Sequence, residues 1–358
     1  HLNLPEAISD EEDDAMLGLF DTVIQFDHRN QLVTIVCNAI IEHEKPLQRQ
    51  YEEAKKRLEA LELRLKNIAV GTSNFVSNTS INHMGEDEEQ FRKSVLRAKE
   101  YIIEGDIFQV VLSRKAQLEF SGDPFPVYRA LRIINPSPYL FYLDFGETKL
   151  IGSSPEVLVR SMNGTVELFP IAGTRRRGKN GEEDKKLEDE LLHDEKELAE
   201  HLMLVDLGRN DVGRICEYGS VHVPVFKRVE RYSHVMHLVS EVHGTLMNGK
   251  TSVDVLKACF PAGTVSGAPK VRAMEIINEL EGMRRGVYAG AVGYVGFNGA
   301  MDTCIAIRTI VAHHQRLSVQ AGAGIVADSV PELEYKETVN KSQALIEAIR
   351  LAANGLQI

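Results

Sequence analysis

Over residues 45–67 the chain runs without glycine through Glu, Lys, Arg, Leu and Ala, and Leu58, Leu61 and Leu65 recur at helical spacing, which predicts one long amphipathic helix. Ahead of it, an acidic cluster at 10–14 is mixed with short apolar pieces, and the apolar run 32–41 after Asn30 predicts a strand. Residues 69–86 are polar and rich in Ser, Asn and Thr, the composition of a linker, so a compact unit is expected over 87–358. That unit opens with a predicted helix at 87–104, whose apolar positions include Phe91, Val95, Leu96 and Ile102 and which Gly105 ends. Residues 107–120 then read as a strand, and strands dominate two blocks, 139–171 and 286–325. Asn163-Gly164 and Asn298-Gly299 predict hairpins, because type I′ turns need positive φ at both central positions. Further long helices are predicted at 182–206, 268–281 and 331–353. Hairpins separated by helices, without regular strand–helix–strand alternation, favour an α+β fold with antiparallel sheets over a doubly wound parallel sheet.

Composition narrows the function. The 358 residues are 43% hydrophobic and carry 41 Lys and Arg against 52 Asp and Glu, a formal charge of −11. Such a chain buries a large core, and its acidity argues against nucleic acid and against anionic membranes as partners. No apolar run approaches a membrane span and no signal-peptide pattern opens the chain, so the expected location is the cytoplasm, or a plastid for a plant source. The first residue is His1, so a fragment or processed product is expected. Cys37, Cys216, Cys259 and Cys304 lack metal spacing and read as buried free thiols.

Chemistry is suggested at several places. Glu197 and Glu200 share a face of one predicted helix, and Glu334 and Glu337 repeat the spacing in the last one. Bridged by Mg²⁺, four such carboxylates would make a site open to an anionic substrate; spacing alone favours a solvated face beside Lys196 and Lys336. The segment 261–270, Pro-Ala-Gly-Thr-Val-Ser-Gly-Ala-Pro-Lys, joins a turn-rich loop to a helix whose first turn suits Pro269. Ala-Gly-Ala-Gly at 321–324 removes side-chain bulk, so that backbone can approach a ligand; taken by their glycines alone, both segments read as ordinary turns. Arg308 in an alternating strand and Tyr288 are a natural pair for a carboxylate. His237, in an apolar strand, reads as a hydrogen-bonded core histidine that also suits acid–base work.

Five segments together resemble the chorismate-utilising enzymes, above all their anthranilate synthase component I branch. They are Pro-Ile-Ala-Gly-Thr-Arg at 170–175, Asp-Glu-Lys-Glu-Leu-Ala-Glu-His at 194–201, Met-Leu-Val-Asp-Leu-Gly-Arg-Asn-Asp at 203–211, 261–270, and Gln-Ala-Gly-Ala-Gly-Ile at 320–325. The likeness runs in order from about residue 87 to 349. It implies two antiparallel sheets packed orthogonally with helices outside, the active site in the cleft between them, and a chorismate-binding catalytic domain over 87–358 preceded by the remnant of an N-terminal region over 1–86. It implies Mg²⁺ contacted directly by Glu200 and Glu337, with Glu197 and Glu334 holding its waters, and bound to the ring carboxylate of chorismate. Tyr288, Arg308 and the backbone of Gly322, Ala323 and Gly324 match positions that hold the enolpyruvyl carboxylate, and Thr174 and Thr264 line the same cleft. Glu156, in Ser-Ser-Pro-Glu at 153–156, matches the general acid for the C4 hydroxyl, which must be protonated near neutral pH; His237 matches the position tied to loss of the C2 proton.

The resemblance also separates branches. Water-adding members carry a Lys base where this chain has Gln109, and many aminodeoxychorismate synthases carry a nucleophilic Lys where it has Ala172, so an ammonia user that makes anthranilate and pyruvate is expected. Aminodeoxychorismate synthase, a synthase that omits pyruvate elimination, and a non-catalytic partner of an amidotransferase stay open as alternatives. No glutaminase nucleophile motif is present, so a glutamine amidotransferase subunit, separate or fused, is implied as the ammonia source. Asn135, Pro136, Ser137, Pro138 and Tyr139, with Tyr294, match part of a site for tryptophan as feedback inhibitor, although the family's N-terminal Leu-Leu-Glu-Ser segment is not among these residues.

Overall fold

The computed structural model describes residues 13–67, 74–77, 88–232 and 235–357. The chain divides into two units, one over residues 11–73 and one from Asn74 onward. In the smaller, the antiparallel strands β1 (Thr22–Asp27) and β2 (Leu32–Cys37) precede helix α1 (Leu47–Lys66). Asp27 Oδ1 accepts the N–H groups of Arg29 and Asn30 at the hairpin turn. The buried Gln50 ties α1 to the preceding loop through Glu42 N and the carbonyls of Glu42 and Lys45.

The larger unit runs in chain order β3 (Phe75–Ser77), α2 (Glu88–Ile103), β4 (Gln109–Gly122), α3 (Phe125–Ile134), β5 (Tyr139–Phe145), β6 (Thr148–Ser154), β7 (Val157–Met162), β8 (Thr165–Leu168) and β9 (Ile171–Arg176). There follow α4 (Gly181–His193), α5 (Glu195–Gly213), β10 (His222–Arg231), β11 (Val235–Thr245), α6 (Ser252–Cys259), β12 (Gly267–Ala268) and α7 (Lys270–Glu281). The chain closes with β13 (Ala291–Val295), β14 (Met301–Ile305), β15 (Thr309–His313), β16 (Arg316–Ile325) and α8 (Pro331–Ala353). Two seven-stranded sheets result, β10-β11-β8-β7-β14-β13 with β9 also on β11, and β12-β4-β16-β15-β6-β5 with β3 also on β4. Every ladder is antiparallel, as the hairpin pattern predicts. The sheets meet where Leu150, Val292, Cys304 and Ala306 pack with Tyr139, Phe141 and Leu143. Helices α3 and α8 cover the second sheet through Val127, Leu131, Leu345 and Ile349, and α5 and α6 cover the first through Val205, Val212, Val255 and Cys259. Among the described residues no helix is long and apolar enough to cross a membrane.

Several expectations need correction. The single helix expected at 182–206 is two, because Asp194 is extended and caps α5 with its carboxylate, accepting from Lys196 N and Glu197 N. Asn163 and Gly164 both have positive φ, as a type I′ turn requires, but at the second site only Gly299 does, and β13 and β14 are joined across the longer loop 296–300. Pro269 is the N-cap of α7 with extended ψ rather than a residue of its first turn. Within the segment expected as linker, Phe75 is buried against Phe120 with ring centroids 6.0 Å apart, which draws Phe75–Ser77 onto the end of β4; residues 78–87, where the unit boundary was expected, lie outside the described residues. Cys216, Cys259 and Cys304 are buried free thiols and Cys37 is half-buried.

Candidate active site

The turn between β6 and β7 places Glu156. Ser154 Oγ donates to Ile305 O at 2.7 Å and accepts from Glu156 N at 3.4 Å, while Ile305 N donates to Glu156 O at 3.0 Å. These bonds fix the backbone, and Thr264 fixes the side chain by donating its hydroxyl to Glu156 Oε2 at 3.0 Å. Thr264 reaches it from a 3-10 turn, Gly263–Val265, that lies against α5; a Cβ on Gly263 would stand 2.1 Å from Leu207 Cδ2, so a side chain there would have to displace that leucine tip. Burial pushes the Glu156 carboxyl above its ordinary value, against the opposing effects of the Thr264 bond and of the Lys341 and Arg308 charges.

His237 is set by a bulge. Thr174 pairs with His237 and Ala172 with Leu238, so Gly173 is an extra residue in β9, with φ of 69°. Its carbonyl lies 3.1 Å from His237 Nδ1, and Thr174 Oγ1 lies 3.1 Å from the same atom. A carbonyl only accepts, so Nδ1 carries the proton and Nε2 keeps a free lone pair. Burial, joined by the Arg308 charge, holds the imidazole pKa below its ordinary value, and the Gly173 bond, Glu197 and Glu230 oppose that shift.

Arg308, expected within an alternating strand, lies instead in the turn between β14 and β15, in the left-handed region with φ 49°, and its carbonyl accepts Ser153 N–H at 3.1 Å. Burial lowers its guanidinium pKa against the pull of Glu156, Tyr288 and Glu337, and it forms no ion pair among the described residues. Gly322 and Gly324 share one face of β16. A Cβ on Gly322 would stand 2.6 Å from the Tyr288 hydroxyl and one on Gly324 2.7 Å from Gln109 Nε2. Ala323, expected beside them, turns its methyl the other way into the core with Phe91, Val110 and Ile276, so only its backbone can serve a ligand. Burial raises the Tyr288 phenol, and Arg285 is braced behind it by Glu281 at 2.6 Å and by the carbonyls of Val265 and Val111.

The four glutamates lie on α5 and α8. Gln109 Nε2 donates to Glu200 Oε1 at 3.4 Å. Burial first, then the negative charges of Glu197 and Glu337, push the Glu200 carboxyl up; burial and Glu337 do the same to Glu334. Glu197 is bound by Arg175 at 3.0 Å and Glu337 by Lys341 at 2.6 Å. Among the described residues no three acidic, imidazole or thiol groups close round one point. Paired carboxylates that repel one another, presenting hard oxygens from two helices, fit a cation held by two protein ligands with water and substrate completing its sphere, as Mg²⁺ prefers.

Two basic residues escaped the sequence reading. Lys341 donates to Gly322 O at 3.0 Å and acts on Glu156 and Glu334; its place four residues after Glu337 on α8 was the available signal. Arg175 spans Glu197 and Asp194, at 3.0 and 2.6 Å, tying β9 to the start of α5. The loop of Asn135, Pro136, Ser137, Pro138 and Tyr139 meets these groups through Ser153, whose hydroxyl bonds Asn135 and whose N–H bonds Arg308 O. Tyr139 donates to Asp302 at 2.6 Å, Arg160 bonds both, and Tyr294, 60% exposed, pairs with Asp302 across the β13–β14 ladder.

A carboxyl whose acid form burial favours, an imidazole whose neutral form burial favours and an arginine acting on both, without an ion pair among the described residues, suit acid–base work on an anionic small molecule. The chain belongs to the chorismate binding enzyme family, whose model matches residues 2–347. It is 53% identical over 345 residues to an anthranilate synthase component 1 from Aquifex aeolicus, covering 95% of this chain and 69% of that protein. The crystal structure of anthranilate synthase component I from Streptococcus pneumoniae superposes with TM-score 0.78 at 44% identity, covering 91% of this chain and 72% of that one. The menaquinone-specific isochorismate synthase of Escherichia coli superposes with TM-score 0.73 at 25% identity over 88% of this chain and 73% of that one.

Proposed function

We propose that this chain is the aminating lyase of an anthranilate synthase, converting chorismate and ammonia to anthranilate, pyruvate and water for tryptophan biosynthesis. The ammonia comes from glutamine through a partner amidotransferase. The observation that carries the reading is the divided protonation of two groups around Arg308, with Glu156 favouring its acid form and His237 its base form. Arg308, Tyr288 and the open backbone at Gly322 and Gly324 take the enolpyruvyl carboxylate, and Lys341 adds a second positive charge beside Gly322. Glu200 and Glu337 would hold Mg²⁺, with Glu197 and Glu334 behind them, and the ion when bound neutralises the ring carboxylate.

As ammonia bonds to C2, the two conjugated ring double bonds each shift by one position and the C4–O bond breaks; Glu156 gives its proton to the departing hydroxyl, which leaves as water. Thr264 then donates to the carboxylate left behind. His237 Nε2 next takes the C2 proton. The C–H electron pair closes the aromatic ring, the ether bond at C3 breaks, and the side chain departs as the enolate of pyruvate, which takes up a proton at its methylene carbon to give pyruvate. The Gln109 amide cannot take a proton from water and the Ala172 methyl cannot attack the ring, which favours ammonia as nucleophile. Tryptophan inhibits at Asn135–Tyr139 and Tyr294 under the same reading. The test is incubation with chorismate, Mg²⁺ and an ammonium salt: anthranilate and pyruvate in equal amounts, lost on adding EDTA, support it, and isochorismate or an aminated adduct without pyruvate refutes it.

A further inference from the structure

Ser153 is fully buried at the end of β6, and its N–H and its hydroxyl are both committed. Its N–H donates to Arg308 O at 3.1 Å, carrying the β6–β15 ladder one bond past its last pair, Gly152 with Thr309, onto a residue whose backbone has already turned to φ 49°. Its hydroxyl donates to the carbonyl of Asn135 and accepts from Asn135 Nδ2 at 3.4 Å. Asn135 caps α3, its own N–H bonded to Leu131 O. The backbone of Arg308, which has no ion pair among the described residues, is thus tied through a buried serine to the end of α3.

We propose that Ser153, held by Asn135, is a positioning residue for substrate binding: the pair fixes where Arg308 presents its guanidinium. Left-handed backbone in a non-glycine residue persists only where surrounding bonds over-determine it, and here the Ser153 amide is the bond on Arg308 itself, beside those of Ile307 N to Ile305 O and Thr309 Oγ1 to Ile307 O in the same turn. Without the hydroxyl, the end of β6 is no longer fixed against α3, and Arg308 loses alignment without losing charge. The inference rests on Arg308 as the carboxylate anchor.

In Ser153→Ala the KM for chorismate rises roughly three- to tenfold, the loss of one buried hydrogen bond, while kcat stays within about twofold. Asn135→Ala retains the backbone carbonyl that accepts the serine proton and shows a smaller rise. In an Arg308→Lys background, Ser153→Ala adds little, because the effect runs through the arginine. Should Ser153→Ala fail to fold, amide hydrogen exchange on the unaltered chain serves instead: the Ser153 amide slows when chorismate and Mg²⁺ are added without an ammonia source. Unchanged KM in Ser153→Ala, additivity with Arg308→Lys, or an indifferent Ser153 amide overturns the proposal. If Arg308→Lys itself leaves KM unchanged, the anchor reading fails rather than the role of Ser153.

Discussion

Replacing Gly322 with alanine tests the carboxylate site at its tightest point. The added Cβ would stand 2.6 Å from the Tyr288 hydroxyl and 2.9 Å from Leu112 O, both closer than real Cβ contacts allow. The second neighbour is backbone of β4, paired residue for residue with β16, so the phenol is the group that must move. Overpacking of this kind costs about 1–3 kcal/mol. Loss of the Tyr288 hydrogen bond to a charged carboxylate costs about 1.5–3 kcal/mol, which is roughly a 10- to 150-fold rise in the KM for chorismate. The control is Gly208→Ala on α5, where the new methyl meets Pro170 Cγ at 3.5 Å and Val242 Cγ2 at 3.7 Å, ordinary contacts. Helix propensity there favours alanine by up to about 1 kcal/mol, so activity is retained and the melting temperature holds or rises. Steady-state kinetics with thermal melts on both variants decide the matter. If Gly322→Ala lowers stability but leaves KM unchanged, the open backbone of β16 does not serve the substrate.

Three other outcomes follow from the same geometry. Glu337→Gln keeps the fold and loses turnover at limiting Mg²⁺, read by activity against metal concentration and by Mn²⁺ binding; unchanged metal dependence removes Glu337 from the site. His237→Met aminates chorismate but releases pyruvate slowly, so mass spectrometry finds the aminated adduct accumulating; normal release denies His237 the base role. The His237 pKa is held below 6.5, and the base acts only when neutral, so pyruvate release from the isolated adduct persists below that pH and fails only as the solution becomes more acid. A loss of release centred above 6.5 contradicts the assignment.

Helix and hairpin positions were legible because they depend on local patterns: the glycine-free run at 45–67, the apolar spacing of α2, and Asn163-Gly164. The break at Asp194 was hidden because the acidic, leucine-containing stretch on both sides favours helix, and only the capping bonds of its carboxylate reveal the boundary. The short helix α6 has a capping box of Thr251 and Asp254 that went unread. At the site, motif likeness singled out Glu156, His237 and Arg308, but not how they are held. The Gly173 bulge that fixes the His237 tautomer depends on register between β9 and β11, and register is a tertiary property. Lys341 and Arg175 were passed over because charged residues on helices and strand ends ordinarily face solvent, and only packing shows their partners to be Gly322 O and Glu197.

The claim that one cleft both aminates chorismate and then removes the C2 proton is tested most directly with chorismate deuterated at C2, in a single turnover with Mg²⁺ and ammonium. The account predicts that amination proceeds at the unlabelled rate, that pyruvate release slows by a primary isotope effect, and that the anthranilate formed carries no deuterium. Deuterium retained in an aminated product without pyruvate, or an oxygenated product in place of anthranilate, would contradict it.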